Sequence, residues 1–363
     1  MSIGRVRPSV EALPAYRPGK AAEQAEEEHG IVDAIKLASN ENPYAPVPSI
    51  VEAVAAAAAN INRYPDHLAL DLRAAVGRWI GVAPEQVTAG CGSVGLLRQI
   101  CMAFVDPGDE VVYPWLSFEA YPISVTTMGG VPVTVPLDEH HAFDLDAVGA
   151  AVTERTKAVL LATPNNPTGT ACSTEAIAAL IDRIPDDVIV LVDEAYREFA
   201  DPALGDPVAD LLPRYRNVIV CRTFSKAYGL AGLRTGYAVA DPDLIVTIDK
   251  VLLPFTNNML AQAGAIAAID ATEEIQPRIE LLLAERTRLV TALTERGLTL
   301  PDAQANFVYL PLGERTDEVH LHLERHGVVT RPFSGNGIRI TVGTPEENDR
   351  IIDAYDKLDA VGS

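Results

Sequence analysis

Lys226 is the residue whose type and position point most directly to chemistry. It lies in the segment 223–229, just after the apolar, strand-like stretch 218–221. A lysine at the carboxyl end of a buried strand loses part of its solvation. That loss lowers the pKa of the amine and makes it a better nucleophile toward an aldehyde. The segment therefore favours a lysine that can carry a Schiff base.

Donors suited to a phosphate surround this lysine in the sequence. Thr223, Ser225 and Arg234 supply two hydroxyls and a guanidinium within one turn and return of the chain, and such groups hold a dianionic phosphate. The segment thus combines an amine that can react with an aldehyde and donors that can hold a phosphate. This combination implies pyridoxal phosphate as the cofactor. The alternative is a solvated lysine in a polar loop. It is disfavoured because lysine is scarce in this chain and Ala and Gly residues flank Lys226.

Asp193 follows the apolar run 188–192, where a lone acid is costly unless it is paired. A protonated pyridine nitrogen would be such a partner, since the charged ring is the cofactor's electron sink. Tyr196, three residues later, and Asn166, after the preceding strand, can each donate a hydrogen bond to the ring's phenolic oxygen. The alternative for Asp193 and Glu194 is a helix N-cap with a first-turn acid.

Spacing links these side chains. Asn166, Asp193 and Lys226 close successive strand segments about 30 residues apart, which is the length of one βα repeat. In a parallel sheet all three would meet at one carboxyl edge.

A glycine-rich segment, 90–95, lies between a strand-like stretch and a helix and offers backbone N–H groups for a phosphate. It also matches the dinucleotide pattern GxGxxG. That alternative needs an acid at the carboxyl end of the next strand, but Asp109 and Glu110 precede the strand residues 111–113. The lysine constellation is the stronger signal.

Composition limits the classes of function. The chain has 363 residues and a formal net charge of −21, which argues against a nucleic-acid or anionic-membrane partner. Neither a membrane-length apolar run nor an apolar signal core is present, so we expect a cytoplasmic protein. The four cysteines follow no CxxC spacing and are expected to be reduced thiols rather than metal ligands.

The elements that must position these residues form an α/β protein. Between residues 61 and 250, short apolar runs alternate with helical patterns, which predicts a mostly parallel sheet flanked by helices on both faces. Long helices around shorter strands follow after residue 251 and predict a smaller α+β domain. The predicted organisation is an N-terminal arm (1–30), a linker and part of the small domain (31–60), a large cofactor-binding domain (61–250) and a small C-terminal domain (251–363).

The chain resembles the fold-type I pyridoxal-phosphate aminotransferases, in the branch of the histidinol-phosphate and aromatic amino-acid aminotransferases. The resemblance covers nearly the whole chain and implies that family's seven-stranded sheet. Besides the Lys226 segment, the matching segments are 13–20, 37–43, 62–66, 305–308 and 337–341.

The resemblance implies a role for each residue of the cofactor site. Lys226 would be the Schiff-base lysine and proton shuttle, Asp193 would pair with the pyridine nitrogen, and Asn166 and Tyr196 would bind the ring oxygen. The phosphate would be held by Ser93, Val94, Thr223, Ser225 and Arg234. Many relatives have an acid at position 94, so here only the backbone of Val94 can serve the phosphate.

Further roles concern the ring face, the substrate and a second subunit. Phe118 matches the aromatic residue that stacks on the cofactor ring, with a core phenylalanine as the alternative. Tyr64 matches a tyrosine that reaches the partner's phosphate, which implies a homodimer with shared sites. Arg339 matches the arginine for the substrate's anionic group, and Arg331 and Tyr16 are further candidates.

The predicted activity is transamination of aromatic amino acids (phenylalanine, tyrosine and possibly tryptophan), with 2-oxoglutarate as the amino acceptor. The segments 90–95, 250–258 and 332–337 look most like the aromatic amino-acid members. Histidinol-phosphate aminotransferase is the main alternative. A decarboxylase on the same scaffold and a non-catalytic pyridoxal-phosphate regulator are more distant ones, and a regulator usually carries a DNA-binding domain for which this chain has no room.

Overall fold

The computed structural model describes residues 6–11, 13 and 19–359. Its strands are β1 Ile35–Lys36, β2 Val87–Gly90, β3 Glu110–Trp115, β4 Val131–Pro136, β5 Thr156–Ala162, β6 Ile189–Asp193, β7 Val218–Thr223, β8 Gly236–Ala240, β9 Phe307–Leu310, β10 Val328–Val329, β11 Arg331–Phe333 and β12 Gly337–Thr341.

The helices are numbered α1 to α14 in chain order. They are α1 Pro8–Glu11, α2 Ala22–His29, α3 Pro48–Ala58, α4 Leu70–Ile80, α5 Gly92–Phe104, α6 Ala120–Met128, α7 Leu145–Ala150, α8 Thr174–Ile181, α9 Pro207–Asp210, α10 Pro242–Asp249, α11 Met259–Asp270, α12 Thr272–Glu295, α13 Thr316–Arg325 and α14 Pro345–Asp359. No helix within the described ranges is long and apolar enough to cross a lipid bilayer.

The predicted mostly parallel sheet of seven strands is confirmed. Its order is β2-β8-β7-β6-β5-β3-β4, and only β8 runs antiparallel to its neighbours. Successive residues of the central strands alternate between two apolar cores, one on each face, as Val190 and Leu191 do in β6. Burial on both faces explains why these strands read as continuous apolar runs in the sequence.

The sequence pattern did not reveal β4, which contains two prolines. Proline cannot donate to a sheet ladder, and β4 is an edge strand, where this loss is tolerated. The apolar pattern over 266–296 predicts one of the long helices after residue 251, but the structure divides this stretch at Ala271 (φ −93°, ψ 15°) into α11 and α12. As a result α11 packs on α3 and α4, whereas α12 extends to β9.

A smaller antiparallel sheet, β11-β12-β9, has its own apolar core with α13 and α14. Near it, β1 pairs with β10 in parallel. The boundaries predicted at residues 30, 60 and 250 stay predictions.

The topology excludes the dinucleotide alternative for segment 90–95. The strand before it, β2, is an edge strand that pairs antiparallel with β8, and β3 lies on the far side of the sheet. A dinucleotide site needs adjacent parallel strands at this point. The four cysteines are free, and Cys101 and Cys221 are buried.

Candidate active site

A cavity lies at the carboxyl edge of the parallel strands, where the small sheet faces the large one. The sheet order changes direction between β3 and β5, and open α/β sheets bind ligands at such a point. The structure brings together twelve of the predicted site residues in the cavity wall: Ser93, Val94, Phe118, Asn166, Asp193, Tyr196, Thr223, Ser225, Lys226, Arg234, Arg331 and Arg339. The predicted convergence of Asn166, Asp193 and Lys226 is therefore confirmed.

Lys226 lies three residues beyond the end of β7, half-buried and open to the cavity. Its Nζ donates a hydrogen bond to the carbonyl oxygen of Ser39 at 3.0 Å. Burial, and secondarily the positive charges of Arg339 and Arg234, lower the pKa of this amine to about 7. The amine is thus neutral in a large fraction of molecules at physiological pH, unlike a solvated surface lysine.

Asp193 is the last residue of β6 and is buried. Tyr121 donates a hydrogen bond to its Oδ2 at 3.4 Å, and Oδ1 is buried with no hydrogen-bond partner among the described residues. Burial raises the pKa of this carboxyl to about 6, although the hydrogen bond from Tyr121 acts in the opposite direction and lowers the pKa. The N-cap alternative is wrong, because the short 3₁₀ turn that follows is capped by Tyr196, and Glu194 pairs with Arg222 at 2.7 Å.

Two hydrogen-bond donors lie near Asp193 on the strand-end loops. The Tyr196 hydroxyl accepts a hydrogen bond from Asn40 Nδ2 at 2.9 Å, so its own hydrogen can be donated to a different acceptor. Asn166 Oδ1 accepts from Arg339 Nη1, which turns the Nδ2 amide of Asn166 the other way. Both side chains are held by neighbours from the C-terminal or N-terminal segments.

The N-terminus of α5 forms one end of the cavity. Gly92 has a φ of +70°, and a Cβ at this position would lie 2.8 Å from Arg234 Nη2. Arg234 Nη1 also approaches Ser225 Oγ at 3.4 Å, and that hydroxyl accepts from Thr223 Oγ1 at 3.1 Å. Backbone N–H groups, two hydroxyls and a guanidinium converge here, which is the donor set that a phosphate needs.

The ring of Phe118 lies on the loop between β3 and α6. It is half-buried and forms part of the cavity wall, with an edge contact to Tyr121 at a centroid distance of 5.8 Å. The loop is tied to the loop after β5, because Ser117 Oγ donates to Asn165 Oδ1 at 2.8 Å. Phe118 is therefore a wall residue of the cavity rather than a core phenylalanine.

Arg331 and Arg339 are paired across β11 and β12 of the small sheet. Opposite residues of an antiparallel pair point to the same face, so both side chains reach the cavity. Arg339 donates to Asn166 and to the Ala38 carbonyl oxygen. Arg331 donates to Glu119 Oε2 at 2.6 Å.

Of the predicted residues that the structure describes, Tyr64 alone is not in the cavity wall. Tyr64 is 80% exposed and stacks on Phe255 with ring centroids 4.3 Å apart. An exposed stacked aromatic pair is suited to contact with a second chain. Tyr16 lies outside the described residues, although Gly19, close after it, lines the cavity.

Sequence reasoning missed four residues that orient the site: Ser39, Asn40, Glu119 and Tyr121. Ser39 and Asn40 belong to the matching segment 37–43, and Glu119 and Tyr121 follow Phe118 within three residues, but their roles depend on contacts with residues more than 70 positions away. One feature of the sequence pointed to Tyr121: it follows Phe118 by three residues, at the start of a helix.

Comparisons with known proteins agree with this geometry. Residues 32–354 match the model of the family described as aminotransferase class I and II. An aromatic amino acid aminotransferase of Mycolicibacterium vanbaalenii is 45% identical over 348 residues, covering 96% of each chain. One from Rhodococcus opacus is 47% identical over 348 residues, covering 96% of this chain and 94% of the relative. A crystal structure of histidinol-phosphate aminotransferase from Sinorhizobium meliloti with pyridoxal-5'-phosphate superposes with a TM-score of 0.90 at 30% identity, covering 100% of this chain and 99% of that one.

Proposed function

Because the chain belongs to the class I and II aminotransferase family, we propose that it is a pyridoxal-phosphate-dependent aminotransferase of aromatic amino acids that uses 2-oxoglutarate as the amino acceptor. One observation carries the activity: an amine of lowered pKa, that of Lys226, shares a cavity with the buried carboxyl of Asp193, whose Oδ1 has no hydrogen-bond partner among the described residues.

The residues of the cavity fit this cofactor. The buried Oδ1 of Asp193 calls for a positively charged donor, and a protonated pyridine nitrogen is one. The donors around Gly92 and Arg234 fit a phosphate at the other end, with Ser93, the Val94 backbone, Thr223 and Ser225. Asn166 and Tyr196 would hold the ring oxygen and Phe118 one ring face.

When bound, the cofactor supplies the aldehyde that takes up the amino group and the ring that withdraws electrons from the substrate Cα. Lys226 would act as the base that takes the proton from the substrate Cα and as the acid that gives it to the cofactor carbon C4′. Its pKa of about 7 suits this task, because a base is most effective when its pKa is near the working pH. Asp193 would keep a proton on the ring nitrogen, and the apolar residues opposite it on the neighbouring strands, Ala162 and Cys221, would strengthen that ion pair.

Features of the substrate end support an aromatic amino acid. Arg339 is buried and oriented by Asn166 and Ala38, so it can present a guanidinium fork to the α-carboxylate. Phe118 and Phe333 supply apolar wall for a side chain. The relatives at 45–47% identity are named for aromatic amino acids.

The proposal includes a homodimer with shared sites. Tyr64, exposed and stacked on Phe255, would reach the partner's phosphate. The partners are otherwise small molecules, an amino acid and a 2-oxo acid.

Histidinol phosphate is the second candidate substrate, since a solved histidinol-phosphate aminotransferase has nearly the same fold. Histidinol phosphate has no α-carboxylate and carries a phosphate at the end far from its amino group, so Arg339 would bind a phosphate instead of a carboxylate. The test is a side-by-side measurement of kcat/KM with 2-oxoglutarate as acceptor. We expect a higher value for phenylalanine, and a clear preference for histidinol phosphate would overturn the aromatic assignment while leaving aminotransferase activity intact.

A further inference from the structure

The charges in the cavity wall are unequally distributed. Among the described lining residues, three are arginines, Arg234, Arg331 and Arg339, Lys226 adds a further positive charge when it is protonated, and two are acids, Asp193 and Glu119. Asp193 lies at the end of β6, where it is proposed to pair with the ring nitrogen of the cofactor. Glu119 is therefore the carboxylate left at the substrate end, and it is bound to Arg331.

The position of Glu119 explains this ion pair. Glu119 lies at the N-cap position of α6, directly after Phe118, and its side chain makes no capping hydrogen bond to the helix. Arg331 and Arg339 are directly opposite each other in register, and like charges in that arrangement repel. The contact of Arg331 with Glu119 at 2.6 Å offsets the repulsion and holds its guanidinium beside the ring of Phe333, 5.7 Å from the ring centroid.

A transaminase must admit two different side chains to one cavity. In the proposed reaction the donor brings an uncharged aromatic ring, and the acceptor brings a second carboxylate. Arg339 can serve the α-carboxylate of both. For the second carboxylate Arg331 is the adjacent cation, but its charge is already neutralised by Glu119.

We infer that Glu119 is a specificity-determining residue that competes with anionic substrate side chains for Arg331. With an aromatic substrate the Arg331–Glu119 pair stays intact and forms a near-neutral, planar wall. An acidic side chain has to displace Glu119 from Arg331 and then lies close to a second negative charge. This inference rests on the proposed function, and it concerns the choice among substrates of that same site.

Glu119→Gln tests the inference, because it keeps the shape of the side chain and removes its charge. The measurement is the Kd of the holoenzyme for two unreactive analogues by calorimetry, glutarate as the dicarboxylate and 3-phenylpropionate as the aromatic monocarboxylate. We expect glutarate to bind on the order of tenfold more tightly in the variant, with 3-phenylpropionate changing less than about threefold. The ratio of kcat/KM for glutamate over phenylalanine should rise by a similar factor.

Two further variants separate charge from structure. Glu318→Gln also removes one carboxylate from an ion pair with an arginine, but Glu318 is exposed on α13 and lies outside the cavity wall, so both Kd values should stay at the wild-type level. Glu119→Asp keeps the charge and should keep the wild-type preference. If Glu119→Gln shifts both analogues by the same factor, or neither, the inference is wrong.

The outcome is distinguishable from failure of the proposed function. Wild-type enzyme that prefers histidinol phosphate to phenylalanine would refute the aromatic assignment. The two-analogue comparison is an equilibrium measurement and would still decide whether Glu119 opposes a second anion.

Discussion

Lys226 and Asp193 are charged side-chain types whose burial shifts both pKa values toward neutrality. The amine titrates near 7 and the carboxyl near 6, so each loses part of the charge it would carry in water. Both shifts have burial as their largest cause. Groups with such shifts in one cavity are typical of active sites.

Lys226→Ala is expected to abolish turnover while leaving the fold intact, because it removes the only described lysine in the cavity wall. Borohydride should fix the cofactor to Lys226 in the wild-type protein, and peptide mapping by mass spectrometry identifies the modified residue. Lys250→Ala, at an exposed position after α10, is the control and should retain activity. An adduct on any lysine other than Lys226 would contradict the assignment.

Asp193→Asn should have opposite effects on activity and stability. Without the negative charge the ring nitrogen loses its proton, and kcat should fall by several powers of ten, the scale of a few kcal/mol of transition-state stabilisation. Near-normal turnover would remove Asp193 from the mechanism.

The stability effect depends on pH in a defined direction. A carboxyl whose pKa is raised from 3.8 to about 6 on folding destabilises the folded state as pH rises through this interval, fully above pH 6 and not at all below 3.8. Cofactor-free Asp193→Asn should therefore be more stable than cofactor-free wild type at pH 7, by on the order of 3 kcal/mol, and lose this advantage as pH falls toward 4. Urea unfolding at several pH values measures the difference, and a pH-independent difference would contradict the prediction.

At the scale of elements, the site depends on where strands and helices end. The loops after β3, β5, β6 and β7 carry the groups proposed for the ring, and the start of α5 carries those proposed for the phosphate. Arg234 has a φ of +58° and lies two residues before the antiparallel strand β8. At this position its guanidinium lies beside Gly92, at the start of α5.

Gly92→Ala tests the close approach at the start of α5. The added Cβ would lie 2.8 Å from Arg234 Nη2, so we expect Arg234 to be displaced and the Kd for pyridoxal phosphate to rise by roughly 10- to 100-fold. Gly81→Ala is a matched control, because Gly81 has a similar φ of +77° but nothing within 4 Å of the added Cβ. It should cost about 1 kcal/mol of stability and leave cofactor affinity unchanged. Equal effects of both variants on affinity would refute the argument.

At the scale of the whole molecule, the exposed aromatic pair of Tyr64 and Phe255 bears on whether the site is complete in one chain. If Tyr64 serves the partner's site, Lys226→Ala and Tyr64→Ala subunits should complement each other. A mixed dimer would have one site with both residues intact. Co-expressed, differently tagged variants should thus recover about a quarter of wild-type activity at limiting cofactor when subunits assemble at random.

The absence of recovery in isolated mixed dimers would show that Tyr64 acts within its own chain, and a fully active Tyr64→Ala parent would show that Tyr64 has no role in the site. Size-exclusion chromatography with light scattering supplies the control that the variants form dimers. The Lys226→Ala parent dimer alone should show no turnover under the same conditions.

Several features followed from the sequence alone. The continuous apolar runs 188–192 and 218–221, which precede Asp193 and Lys226, predicted buried parallel strands. The βα spacing predicted that the carboxyl ends of these strands converge. Both predictions were possible because strand burial and spacing are local properties of the chain. The segment 90–95 likewise predicted the start of α5. The mostly parallel sheet was predicted correctly on this basis, and the family was predicted correctly from the resemblance of several segments to known aminotransferases.

Only the tertiary structure decided which partners orient these groups. The bond of Tyr121 to Asp193, that of Asn40 to Tyr196 and the Glu119–Arg331 ion pair each join residues between 72 and 212 positions apart. No periodicity or spacing in one sequence encodes such pairs, because they arise only when distant segments pack together; the Glu119–Arg331 pair, for example, needs the small sheet to lie over the edge of the large one. The pKa values of Lys226 and Asp193 were set in the same way, by burial among residues from distant segments, whereas the chemical types able to respond to that burial were present in the sequence from the start.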